Sequence, residues 1–378
     1  MSRPLVHIAR WPLALIIAFV APTFARAADW DPAKTWVFAI GCTEWKYDHK
    51  LNQSKKARQD GVLVETLKAR GVPAGQVVYL VDKQGTIAAI KKQFTEMLKK
   101  TNKGDFLIFY FQGHGSRDVS GGKSRYYFVN YDAKDEDANS FLYMHLVFDM
   151  IEAHFKGSHV LMTADCCCSG GMIEEAKKRK SGIAYCCLAS VFAHNGSTGD
   201  WTYTKGLIKG FRGDAMTDVN GDGATTLGEL FHAIELEMAY VEKQKSSFVV
   251  VNGFDPAMKI AGAKKKNHAD VGKFVEVHQD GKWLLSQVLD FKDDKFRICY
   301  VDFENDYEWV AANRIRPVKP HHFEDGTKVR AQDDDDKWHN AVVKRSLYGL
   351  HLVHFDHDKS SNGVLDEWVG PERIRSRP

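Results

Sequence analysis

Ala164-Asp165-Cys166-Cys167-Cys168-Ser169-Gly170-Gly171 is the stretch on which the fold turns, and it is read together with Phe111-Gln112-Gly113-His114-Gly115. Each follows a short apolar run of strand length: Phe106 to Phe111 before the histidine, His159 to Ala164 before the cysteines. A histidine and a cysteine at the carboxyl ends of two neighbouring parallel strands can meet over a crevice, which is where an open α/β sheet places its chemistry. A thiol becomes a strong nucleophile when a nearby base takes its proton, and this pair supplies both groups. Glycines on both sides of His114 suit an exposed, sharply turning loop. Ser169-Gly170-Gly171 allows a substrate backbone close to Cys167.

Working outward, Thr35 to Ile40, Val77 to Val81, Ile183 to Ser190 and Phe248 to Asn252 read as further strands. Ser54 to Arg70, Gly85 to Lys100 and His145 to Phe155 carry helical periods. The alternation predicts an α/β fold: a mostly parallel six-stranded sheet with helices on both faces.

The two motifs resemble those of the caspase-like cysteine peptidases, in their metacaspase and bacterial branch. "FQGHGS" is similar to that branch's "YSGHG" block, and "DCCCSGG" to its "DCCxSGG" block. Their separation is close to the roughly 50 residues expected between His and Cys in caspases. The likeness runs from about Thr35 to about Lys259. It implies the caspase-hemoglobinase fold and a dyad in which Cys167 is the nucleophile and His114 the general base. It also implies an oxyanion hole from the amides of Gly115 and Cys167. Cleavage after Arg or Lys follows from the resemblance too, with Asp165 and Asp60 lining the first pocket and Gln112 where the family commonly has Ser. Ala57, Asp60, Val64 and Leu67 independently fall on one helical face, which puts an acid on an apolar stripe. Position 168 departs from the pattern, because metacaspases usually carry His there. Two readings of another class stay open: a non-catalytic scaffold with the caspase fold, and a thiol redox sensor suggested by the cysteine runs.

The chain of 378 residues carries a formal charge of only +3, so bulk charge gives no argument for nucleic acid. Arg3 and Arg10 flank the apolar run Trp11 to Val20, and Ala25-Arg26-Ala27 follows. That is the pattern of a secretory signal peptide over residues 1–27, predicting a secreted or periplasmic bacterial protein with no membrane span in the mature chain. Five of the seven cysteines form two runs, Cys166 to Cys168 and Cys186-Cys187, which is neither a framework of spaced disulfides nor a zinc pattern. A bridge such as Cys166 to Cys186 stays open. Lys177-Lys178-Arg179-Lys180 is a candidate autoprocessing site beside the catalytic turn.

Residues 218–229 match D-x-[DN]-x-[DN]-G-x5-E throughout. Asp218, Asn220, Asp222, the Ala224 carbonyl, Thr226 and Glu229 would offer oxygen ligands to Ca2+, with Gly223 at the sharp turn. The thiol chemistry itself requires no cofactor.

The helical period ends near Ala263. The chain divides into a peptidase domain (28–263), a lysine-rich linker (264–270) and two similar β-rich blocks, 271–319 and 320–378. Trp283, "YEWV" and "NRIRP" in the first recur as Trp338, "DEWV" and "ERIRS" in the second, an internal repeat. The blocks resemble Tudor and Agenet-type small barrels, which implies a protein ligand or a hold on the substrate polypeptide. Barrels of this size bury little core, so their tryptophans are candidates for structural use as well as for a ligand pocket.

Overall fold

The computed structural model describes residues 29–377, except 56–57, 121–122, 194–195, 198, 243, 302–306, 319–322, 334–336, 348 and 357–365. The predicted signal peptide and Ala57 lie outside the described residues. Among those described, no helix is long and apolar enough to cross a membrane.

The chain runs β1 (Thr35–Gly41), α1 (Asp60–Ala69), β2 (Val77–Val81), α2 (Ile87–Lys99) and β3 (Phe106–Gln112). A hairpin of β4 (Gly115–Ser120) and β5 (Lys123–Phe128) follows, then β6 (Leu142–Tyr143), α3 (Met144–His154), β7 (His159–Asp165), α4 (Gly171–Ala176) and β8 (Ala184–Ala189). α5 (Thr202–Phe211), β9 (Ala224–Thr226), α6 (Leu227–Val241), β10 (Ser247–Val251) and β11 (Lys259–Gly262) complete the α/β part.

Six strands form the main sheet in the order β10-β8-β7-β3-β1-β2. All pairings are parallel except that of β10 with β8. Every residue of β3 is buried, because helices cover both faces of the sheet. On one face Phe38, Phe109 and Phe111 pack with Phe94 of α2, Phe148 of α3 and Met172 of α4. On the other, Val37, Ile108 and Leu161 pack with Leu63 of α1, Leu207 of α5 and Leu230 of α6. Side chains of this size contribute about 1.5–3 kcal/mol each when fully buried. The predicted helix from Ser54 starts only at Asp60. Arg58, just before it, reaches over the end of β1 and binds the Asp60 carboxylate.

The repeat is a structural one, two five-stranded antiparallel sheets consistent with barrels. The first comprises β12 (Phe274–Gln279), β13 (Lys282–Lys292), β14 (Lys295–Tyr300), β15 (Tyr307–Ala311) and β16 (Ile315–Pro317). The second comprises β17 (Lys328–Gln332), β18 (Trp338–Leu347), β19 (Leu350–Phe355), β20 (Asp366–Val369) and β21 (Ile374–Ser376). Both sheets pack on α6. Tyr240 stacks on Phe274 with ring centroids 3.9 Å apart. Leu350, Leu352 and Trp368 share a core with Ala239 and Tyr240. Two ion pairs fasten the second sheet: Arg345 to Glu235 of α6 at 2.6 Å, and Lys245 to Asp366 at 2.9 Å. The start of the predicted linker is itself tied down, with Lys264 N–H donating to the Gly213 carbonyl at 2.8 Å.

Candidate active site

β3 and β7 pair in register with Gln112 opposite Asp165. His114 and Cys167 each lie two residues beyond those ends, so they leave the sheet from adjacent strands. The segments touch there: a Cβ on Gly115 would lie 2.1 Å from the Cys167 carbonyl oxygen, so only glycine fits. His114 Nε2 is 2.9 Å from the Leu51 carbonyl oxygen. A carbonyl can only accept, so Nε2 carries the proton and the neutral ring keeps its lone pair on Nδ1, the form a general base needs. Trp45 packs on the imidazole, centroids 4.7 Å apart, and its own Nε1–H donates to the Val129 carbonyl at 2.9 Å. The sequence could not reveal Leu51 as the orienting group, because every residue type offers a carbonyl.

Cys167 is half-buried, and the Ser197 backbone N–H donates to its Sγ at 3.2 Å. The residues around it form a turn and do not continue β7, with Cys168 at φ 56°. The alternation that a continued strand would impose on Cys166, Cys167 and Cys168 therefore does not apply, and Cys166 is a small buried hydrophobe. Burial pushes the thiol of Cys166 well up and that of Cys168 to about 11. Burial likewise raises Cys186, Cys187 and Cys42. None of the seven cysteines is in a disulfide. The bridge left open between Cys166 and Cys186 is excluded: Cys186 sits opposite Leu161, deep in the sheet, and packs on the other face.

The expected pocket acids take different parts. Gly41, Gln112 and Asp165 form one rank across β1, β3 and β7. Asp60 is fully buried beside Gly41, where a Cβ would lie 1.6 Å from its Oδ2. Arg58 grips it through Nε–H to Oδ1 at 2.9 Å and Nη2–H to Oδ2 at 2.6 Å, and the Tyr79 hydroxyl adds 2.6 Å to Oδ2. Arg58 also donates to the Gly41 carbonyl, Thr43 Oγ1 and Asp82 Oδ2. All five guanidinium N–H donors are thus engaged. Asp60 is the counter-ion of an arginine that the sequence reading did not single out. The signal was present: an arginine two residues before an acid that opens a helix.

Asp165 is buried too. Its Oδ2 accepts from the Thr204 N–H at 3.2 Å and the Thr204 hydroxyl at 2.7 Å. Burial outweighs these bonds and pushes its carboxyl up to about 6. Gln112 accepts from the Tyr110 hydroxyl at 3.0 Å, while its buried Nε2 has no hydrogen-bond partner. Beyond the turn, Arg179 is bound to Asp149 and Glu152, so the basic run is not uniformly solvated.

The 218–229 loop spends its oxygens internally. Asp218 accepts from the N–H groups of Gly221, Asp222 and Gly223. Thr226 and Glu229 form the capping box of α6. Among the described residues, no group of three or more His, Cys, Asp or Glu side chains stands ready to hold a metal ion. Glu229 Oε2 accepts from the Thr226 N–H and hydroxyl, so a cation here would compete with those bonds for the carboxylate.

Residues 74–176, which carry both His114 and Cys167, match the family model of the metacaspase peptidase C14 domain. No curated protein matches the chain. Among solved structures, one of a protein from Geobacter sulfurreducens is 15% identical, covers 61% of this chain and 99% of its own, and superposes with a TM-score of 0.44. The family match supports a caspase-like cysteine peptidase, carried by the segment that holds the histidine and the cysteine together.

Proposed function

We propose that the protein is an exported cysteine endopeptidase cleaving after Arg or Lys. His114 Nδ1 takes the Cys167 proton as Sγ bonds to the peptide carbonyl carbon. His114 then gives that proton to the leaving amine as the C–N bond breaks. A water, losing a proton to His114, hydrolyses the thioester and returns the thiol. The Gly115 and Cys167 amides are the proposed oxyanion donors, worth about 3 kcal/mol each in the transition state. The observation that carries this reading is the Leu51 carbonyl on His114 Nε2, which leaves Nδ1 as the free base on the strand next to that of Cys167.

For the cationic side chain we assign Asp165, with Gln112 beside it in the same rank of the sheet. Asp60 supports the pocket through Arg58. Ca2+ at residues 218–229 is an accessory proposal that would brace α6 and takes no part in the chemistry. The barrels would locate a partner or the substrate polypeptide. A cleft of about 740 Å³ between α6 and the first barrel, lined by Lys209, Arg297 and Tyr307 among others, supports that part. Export rests on residues 1–27 alone.

The test is a panel of Arg-, Lys- and Asp-terminated fluorogenic peptides under reducing conditions, with and without Ca2+, beside Cys167→Ala. Cleavage after Arg and Lys should vanish in the mutant and weaken as pH falls through about 6, where Asp165 takes up a proton. Cleavage only after Asp would overturn the specificity. No cleavage, together with a Cys167 inert to alkylating agents, would favour the scaffold reading.

A further inference from the structure

The second barrel lies far along the chain from Cys167, yet a short series of contacts joins them. Ser190 and Phe192 follow β8 and wrap the nucleophile turn. The Ser190 hydroxyl lies 3.2 Å from the Cys166 N and 3.2 Å from the Ser169 hydroxyl. A Cβ on Gly170 would come within 2.4 Å of the Ala193 N, so the two segments are in direct contact. Ser197 then delivers its N–H to Cys167 Sγ. Two consecutive residues after α6 hold this wall. Gln244 Nε2–H reaches the Ser190 carbonyl at 2.9 Å and the Ser197 hydroxyl at 3.3 Å. Lys245 places its ammonium 3.5 Å from the centroid of the Phe192 ring.

Lys245 would not stay in that place unaided. Its side chain is only 13% exposed, and burial draws its ammonium below the usual lysine value. Its anion is Asp366, at 2.9 Å on the edge strand of the second barrel, which His354 also holds at 2.6 Å. A buried cation left without its anion is strongly unfavourable, so the position of Lys245 depends on the barrel.

We propose that the second barrel is a wall of the active site: through Asp366 it fixes Lys245, a positioning residue that with Gln244 sets the Ser197 N–H on the nucleophilic sulfur. The thiolate is the attacking form of cysteine. A backbone N–H aimed at the sulfur is the kind of donor that holds negative charge there. The inference rests on Cys167 being the nucleophile of the proposed peptidase, and it gives the barrel a part in the reaction distinct from ligand binding.

The experiment measures alkylation of Cys167 by iodoacetamide in the full chain, read by intact and peptide mass, with melting curves alongside. Lys245→Met and Asp366→Asn should slow alkylation at least fivefold, and Lys245→Arg should restore at least half of the rate. Arg345→Met cuts the ion pair between this barrel and Glu235 of α6, and should stay within twofold of the parent. Rates within twofold for all variants would overturn the proposal. So would an equal slowing in Arg345→Met, which would mean that only docking matters. Because alkylation needs no peptide, a rate that follows Lys245 in a protein cleaving no substrate would remove the peptidase reading and leave the wall standing.

Discussion

The two barrels share a register residue for residue and differ in what they do with one strand. Val288 pairs with Ile298 in the first as Val343 pairs with Val353 in the second. Arg297 faces Trp309 as Leu352 faces Trp368, and Cys299 faces Tyr307 as His354 faces Asp366. The interiors match as well: Val275, Val288, Val310 and Ile315 correspond to Val329, Val343, Val369 and Ile374. The outer faces diverge. Trp368 is 1% exposed against α6, whereas Trp309 is 41% exposed. Asp366 meets Lys245, whereas Tyr307 borders the cleft beside α6. The two repeats therefore differ in what the edge strand and its neighbour meet: Leu350, Leu352 and Trp368 join the core with α6 in the second barrel.

The largest effect expected from this comparison is on stability. Trp368→Ala should cost about 3–5 kcal/mol, because it empties a packed space shared by two domains. Trp309→Ala should stay within about 0.5 kcal/mol, as exposed substitutions do. Denaturant titration of both variants checks it. Equal costs would break the comparison, since the strand would then be structural in both barrels.

A smaller effect is expected at an ion pair that both barrels keep. Glu367 meets Arg373 at 2.5 Å with side chains 18% and 12% exposed. Glu308 meets Arg314 with both side chains 34% exposed. Double-mutant cycles should give a coupling of about 1–2 kcal/mol in the second barrel. In the first, solvent screening should leave about 0.2–1 kcal/mol. A larger coupling in the first barrel would mean that the hydroxyl of Tyr300, which donates to Glu308 at 2.6 Å, reinforces its pair more than burial reinforces the other.

What could be read from the sequence follows the same division. The sheet was legible because its strands are unbroken apolar runs, such as Phe106 to Phe111, separated by helical periods. The repeat was legible because "EWV" and "RIR" recur at matching places. His114 and Cys167 were legible as side chains at strand ends. The groups that orient them were not: Leu51 acts through its carbonyl and Ser197 through its N–H, and the backbone is the same in every residue. Asp60 was legible as an acid facing inward, but its partner Arg58 was passed over, because the periodicity carried the helix through a residue that lies outside it. Which of the two edge-strand tryptophans docks was also hidden. Trp309 and Trp368 sit in nearly the same motif, and only the meeting with α6 tells them apart.

The smallest expected difference between the barrels bears on what they can bind. Arg316 lies over Trp283 at 3.9 Å from the ring centroid, and Arg375 over Trp338 at 3.9 Å. Each guanidinium takes up one face of its indole, and a quaternary ammonium would have to displace it to use that face. Arg375→Met should destabilise by about 0.5–1 kcal/mol, and Arg316→Met by slightly more, because Arg316 also pairs with Glu276 at 2.6 Å whereas Arg375 faces Arg330 across the strands. Titrating the parent with tetramethylammonium while following tryptophan fluorescence should show no saturable change, and the two variants should respond only weakly. Saturable binding by the parent would show that the arginines yield their place, and would return the tryptophans to the list of ligand-binding residues.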